Sequence, residues 1–144
     1  MVESLPLGAV DLTRDELVAW GEEFGRRLEA PVVVALDGEL GTGKTTLARS
    51  ICRGVGVLED VTSPTFAIVN QYEVNGGTVY HLDLYRIDRE QDLTNLGWDD
   101  IVNNGAIVLV EWAARAGHRL PADSVRIILE HIPGQGQRRR LRAG

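Results

Sequence analysis

One stretch constrains this chain more than any other. The apolar run "PVVVAL" leads straight into "GELGTGKTT", Gly38 to Thr46, which leads straight into "LARSICRGVGV". Gly38, Gly43, Lys44 and Thr45 satisfy GxxxxGK[ST], the pattern in which a glycine-rich loop turns backbone N–H groups toward phosphate oxygens. Val32 to Leu36, β-branched and without alternation, read as a buried strand, and Leu47, Ile51 and Val55 repeat at i+4 as a helix. Gly54 and Gly56 mark the helix exit. Strand, loop and helix in that order are the context the pattern needs. Glycines let the chain approach a phosphate, and the helix presents its positive N-terminal end. Lys44 is placed to reach β and γ phosphates, and the Thr45 hydroxyl to join the shell of a magnesium ion.

The surrounding pattern is mixed. Thr13 and Glu16 stand at capping-box spacing, and Leu17, Trp20, Phe24 and Leu28 form a helical stripe that Pro31 closes. Two strand-like runs, Phe66 to Tyr72 and Thr78 to Leu84, flank Asn75, Gly76 and Gly77 as a hairpin. "DREQDLTNLGWDDIVNN" reads as mainly helical with a break at Gly97, "AIVLVEW" as a buried strand stopping at Glu111. "SVRIILEHIPGQGQRRRLRA" reads as two strands around the Pro133 to Gly136 turn. The expected fold is an α/β three-layer sandwich with a mainly parallel central sheet and antiparallel strands added at the side. No linker divides it, and 144 residues suit a single domain, 1–144.

A triphosphate with magnesium also needs an acid on a neighbouring strand. Asp83 in "VYHLDLY" and Glu111 after "AIVLV" are the two candidates. Glu111 has the stronger case, because a fully apolar strand delivers its end to the same sheet edge as the phosphate loop. "SPT", Ser63, Pro64 and Thr65, reads either as a phosphate-sensing segment or as a plain turn. No water-activating glutamine or arginine finger stands out in the sequence.

Charge and composition narrow the remaining classes. The net charge is -6, and the last eight residues, "QRRRLRAG", carry four arginines and no acid, so the rest of the chain carries -10. An acidic body repels a polyanion, so nucleic acid is not an obvious direct ligand. Arg138, Arg139, Arg140 and Arg142 read either as a solvated strand end or as a phosphate or RNA contact. Lys44 is the only lysine among 15 basic residues. A GTP switch of the NKxD kind would need a second one, and a small-molecule kinase would need more chain for an acceptor pocket and lid. A non-catalytic nucleotide switch remains the other reading. Cys52 and the separated His81, His118 and His131 suggest surface or packing roles and no metal cluster. No apolar run is long enough to span a bilayer, and the first residues lack a leader pattern, so a cytoplasmic protein is expected.

Taken together, "GELGTGKTT", "SPTFAIVNQY", "HLDLYRI" and "LVEW", in this order, resemble the TsaE (YjeE) family, bacterial P-loop ATPases of tRNA threonylcarbamoyladenosine synthesis. The resemblance covers nearly the whole chain. It implies ATP and Mg2+ as cofactors and TsaB- and TsaD-type partners, with tRNA contact indirect or weak; the lack of a glutamine or arginine finger adds the expectation of slow hydrolysis quickened by those partners, and the short apolar runs that of no membrane. It implies that Gly41, Thr42, Gly43, Lys44, Thr45 and Thr46 hold the ATP phosphates, and that Thr45 and Glu111 serve the metal. Asp83 would serve the catalytic end, Ser63, Pro64 and Thr65 would form a switch-like segment, and Trp112 would pack near the nucleotide. Thr13 would lie by the adenine, and Arg140 matches an arginine of the family's last hairpin. Leu17 and Glu39 depart from the family's threonine and aspartate. The first puts the adenine-side contacts in question, whereas the second keeps the charge.

Overall fold

A computed structural model describes residues 5–61 and 69–144. Its seven-stranded sheet runs β1 (Gly8–Thr13), β7 (Arg138–Ala143), β6 (Val125–His131), β2 (Val32–Gly38), β5 (Ile107–Glu111), β4 (Gly77–Asp83), β3 (Val69–Val74). The four central strands, β6, β2, β5 and β4, are parallel. β3 adds antiparallel at one edge, and β7 with β1 at the other. The expected sandwich is therefore observed, with antiparallel strands at both sides.

Helices α1 (Arg14–Arg27) and α2 (Lys44–Val55) cover one face; α3 (Glu90–Leu96), α4 (Trp98–Val102) and a 3-10 segment, Ala113–Arg119, belong to the other. Two apolar clusters follow from alternation along the strands. Val34, Leu36, Ile107 and Leu109 pack with Phe24, Leu47 and Ile51 of α1 and α2. Val33, Ala35, Val108 and Val110 pack with Leu93, Trp98 and Ala116. Strands covered on both sides must be apolar at successive positions, which is why β2 and β5 read without alternation.

α1 starts at the expected box: the Thr13 N–H donates to Glu16 Oε1 at 2.8 Å, and Glu16 N–H donates to Thr13 Oγ1 at 3.3 Å. Its stripe buries Leu17 and Phe24, and Trp20 stacks on Phe24 with ring centroids 5.0 Å apart. Gly54 does not mark the exit of α2. It lies inside the helix, where a Cβ would run into the Glu22 carbonyl, just as a Cβ on Gly25 would meet Ile51, so glycines set the close approach of α1 and α2. Gly56, at φ 118, makes the exit.

Gly97, at φ 88, separates α3 from α4 as its position in the sequence suggested. The hairpin is β3–β4, ending at Asp83; the Phe66 to Ile68 part of the expected first strand lies outside the described residues. Strand β1 was not expected. Its six residues pair antiparallel with β7, Gly8 against Ala143 through Thr13 against Arg138, and carry the chain directly into the α1 cap. No described helix is long and apolar enough to cross a membrane.

Candidate nucleotide-binding site

Parallel register brings the chemistry to one edge. Leu36 of β2 and Asp83 of β4 both stand level with Glu111 of β5, so the loop after β2 opens beside both carboxylates. The loop turns at Gly41, φ 81, and Gly43, φ 104, angles that disfavour any residue with a Cβ. Gly43 caps α2, and Lys44 is the first helical residue.

Lys44 is nearly buried, 5% exposed. Its Nζ donates to the carbonyls of Gly38 at 2.6 Å and Glu39 at 3.0 Å, and sits 4.0 Å from the centroid of the Trp112 ring. Burial pushes its pKa down, and the charges of Glu111, Asp37 and Asp83 oppose that shift. The ammonium is thus a compact charge held inside the loop by carbonyls and a π face.

Next to it, Thr45 Oγ1 donates to Glu111 Oε1 at 3.0 Å. The second oxygen, Oε2, lies 2.6 Å from His81 Nε2 in the sheet interior. Asp83 Oδ1 accepts from the Tyr85 N–H at 2.9 Å. Desolvation raises the Asp83 pKa above its ordinary value, and the Glu111 charge raises it further. Trp112 follows Glu111 at φ 56, ψ 43, turning the chain out of β5 into the 3-10 segment, and its ring lies 5.0 Å from that of Tyr85. Two acidic strand ends, a lysine and a hydroxyl therefore converge.

The loop's other side borders a cleft of about 520 Å³. Thr13 and Leu17 from the start of α1, Gly41, Thr42, Gly43 and Thr46 from the loop, and Gly136 and Arg139 from the β6–β7 hairpin line it. Thr13, which the resemblance puts beside an adenine, lines this cleft, and Leu17 lines the cleft as well as the helix stripe. Arg140 is not brought to the cleft. It points across to β1, where its Nε and Nη2 donate to Asp11 Oδ1 and Oδ2 at 2.9 and 3.3 Å. Alternation along β7 sends the adjacent Arg139 the other way, and its Nη2 donates to the Gly41 carbonyl at 3.3 Å. Ser63, Pro64 and Thr65 lie outside the described residues.

Three residues of this neighbourhood escaped the sequence reading. Arg139 was visible only as one of four arginines, because strand phase decides which of them faces the loop. Asp37, whose Oδ1 accepts from the Ala114 N–H at 3.1 Å, was lost between strand and loop. His81 gave no signal because β4 and β5 become neighbours only in the sheet.

The residues present fit a triphosphate with a hard divalent ion. Hydroxyl and carboxylate oxygens of Thr45 and Glu111 are the donor types such an ion takes. Among the described residues no three His, Cys, Asp or Glu are grouped to hold a metal by themselves, so phosphate and water oxygens would have to complete the shell.

Comparison with known proteins points to one family. The family model described as "Threonylcarbamoyl adenosine biosynthesis protein TsaE" matches residues 12–141. Proteins named tRNA threonylcarbamoyladenosine biosynthesis protein TsaE are similar to the chain. That of Treponema pallidum is 34% identical over 83% of this chain and 88% of its own, and that of Haemophilus influenzae 33% identical over 80% and 76%. The crystal structure of Bacillus subtilis YdiB superposes with a TM-score of 0.77 over 94% of this chain and 84% of its own, at 24% identity, a likeness of fold. The family model and these relatives together assign the chain: it belongs to the TsaE family of threonylcarbamoyl adenosine biosynthesis proteins.

Proposed function

We propose that the chain binds ATP with Mg2+ in the cytoplasm and hydrolyses it, driving the cycle of a TsaB/TsaD-type complex that makes threonylcarbamoyladenosine on tRNA. It does not itself transfer the threonylcarbamoyl group. The observation that carries this reading is the Thr45 Oγ1 to Glu111 Oε1 hydrogen bond of 3.0 Å beside Lys44. It joins the first turn of the loop's helix to the acidic end of the neighbouring parallel strand.

The roles follow from the atoms. Backbone N–H groups of Gly41 to Thr46 hold the phosphate oxygens, and Lys44 exchanges the Gly38 and Glu39 carbonyls for them. Thr45 and Glu111 hold the magnesium ion, which when bound neutralises charge on the phosphate oxygens. Asp83, its pKa raised by desolvation, orients the attacking water and is well suited to take up its proton. Trp112 shields Lys44 from water. Thr13, Leu17 and Arg139 border the space for the nucleoside.

No arginine or glutamine is hydrogen-bonded to Lys44, Asp83 or Glu111 among the described residues. Slow turnover alone and faster turnover with partners is therefore expected. The test is phosphate release by the chain with and without TsaB- and TsaD-type proteins, with Lys44→Ala as control. Stimulation by the partners, and loss of nucleotide binding by roughly 100-fold or more in Lys44→Ala, are expected. Rapid turnover by the isolated chain, or phosphate delivered to an acceptor other than water, would count against the reading.

A further inference from the structure

His81 has no part in the roles above, yet it is fully buried, one of few polar side chains so placed among the described residues. Alternation along β4 turns Val79, His81 and Asp83 to the α2 side of the sheet. In β5, Leu109 and Glu111 turn to the same side, and they stand level with His81 and Asp83 respectively. His81 therefore sits one step behind the site, under the Glu111 side chain.

The contact it makes is specific. Nε2 lies 2.6 Å from Glu111 Oε2, while Glu111 Oε1 accepts from Thr45 Oγ1 at 3.0 Å. Each carboxylate oxygen thus has its own partner, one from the interior and one from the loop. A carboxylate only accepts, so Nε2 carries the hydrogen. His81 Nδ1 has no hydrogen-bond partner among the described residues, so the ring's polar contact there is with Glu111 alone. A buried imidazole with one specific partner costs desolvation that an apolar side chain would not.

We infer that His81 is a positioning residue: it holds Oε2 of Glu111 so that Oε1 stays turned toward Thr45, presetting the oxygen pair that receives a divalent ion. Without it the glutamate torsions are free to turn the carboxylate away, and the ion must order them on binding. The inference rests on the metal–nucleotide reading proposed above. It adds a residue whose effect should appear in metal affinity more than in nucleotide affinity.

The test is equilibrium binding of Mn2+ in the presence of ADP, read as the free-ion signal in electron paramagnetic resonance, with a thermal melt of each protein. The proteins are the unaltered chain, His81→Gln, His81→Asn, His81→Leu and Glu111→Ala. A glutamine amide N–H reaches about as far as Nε2, whereas asparagine is one methylene short and leucine has no donor. His81→Asn and His81→Leu are expected to lose Mn2+ affinity by roughly 10- to 100-fold, and His81→Gln to stay within about 3-fold of the unaltered chain. ADP affinity measured in EDTA is expected to be alike in all three.

Unchanged Mn2+ affinity in folded His81→Asn or His81→Leu, with the affinity lost in Glu111→Ala, would overturn the inference and leave the site reading standing. Equal loss in folded His81→Gln and His81→Asn would overturn it too, by showing that the ring's shape matters and the donor does not. Should His81→Leu fail to fold, the glutamine and asparagine pair decides. Glu111→Ala that binds Mn2+ as well as the unaltered chain would instead remove the metal reading, and the inference with it.

Discussion

The two halves of the sheet treat charge in opposite ways. In the parallel centre, β5 is buried along its whole length and β2 from Val33 to Leu36, because helices lie on both faces. Lys44, Asp83 and Glu111 gather only where the strands end. In the wing that begins at β6, the last parallel strand, and continues through the antiparallel β7 and β1, one face stays open, and burial alternates along β6. Its charges pair across strands on the spot: Arg140 with Asp11, and Arg142 Nε with Glu130 Oε1 at 2.7 Å. The covered strands β2 and β5 keep charge at their ends, where it becomes a site; strands covered on one side pair their charges with their neighbours.

The largest effect expected from this difference is in stability. Leu109→Ala, in β5, should cost about 2–5 kcal/mol by cavity formation, while Ile128→Ala on the open face of β6 should cost no more than about 0.5 kcal/mol. Urea denaturation of both variants checks this, and similar losses would erase the contrast.

A smaller effect separates two adjacent arginines of the wing. Arg139→Ala should weaken ATP binding roughly 3- to 10-fold, the scale of one hydrogen-bonding side chain, by loosening the hairpin that borders the cleft. Arg140→Ala should weaken it less, because that side chain is committed to Asp11. Calorimetric titration of both would reverse the assignment of the cleft-side arginine if Arg140→Ala proved the more damaging.

The smallest expected effect is a gain. An acid whose native pKa is raised binds its proton more tightly when folded, so stability falls as pH rises from the unfolded value through the raised one and stays lowered above it. Asp83→Asn keeps an acceptor for the Tyr85 N–H and removes that burden. Its melting temperature should exceed that of the unaltered chain at pH 7, the gap closing as pH falls below the ordinary carboxylate range, while phosphate release declines. A lower melting temperature at pH 7 would mean that the Asp83 charge is compensated in place.

Much of this contrast was legible beforehand. The unbroken apolar runs of β2 and β5, the capping box at Thr13 and the glycine loop are local signals, and each lies where its residues said. Non-local pairing was not legible. β1 is a six-residue edge strand whose sheet partner among the described residues, β7, lies at the far end of the chain. His81 beside Glu111 follows from β4 and β5 being adjacent, and Arg139 facing the loop, rather than Arg140, follows from the phase of β7. Gly54 looked like a helix end because only the packing of α1 on α2 explains a glycine inside a helix.

In the proposed function the parallel strand ends assemble a metal–nucleotide centre around Thr45 and Glu111. Its most direct test is phosphate release at saturating ATP and Mg2+ by Glu111→Ala beside the unaltered chain, with ATP binding measured on both. Glu111→Ala is expected to retain part of its ATP binding and to lose Mg2+-dependent release by about 100-fold. Release at the unaltered rate would contradict it.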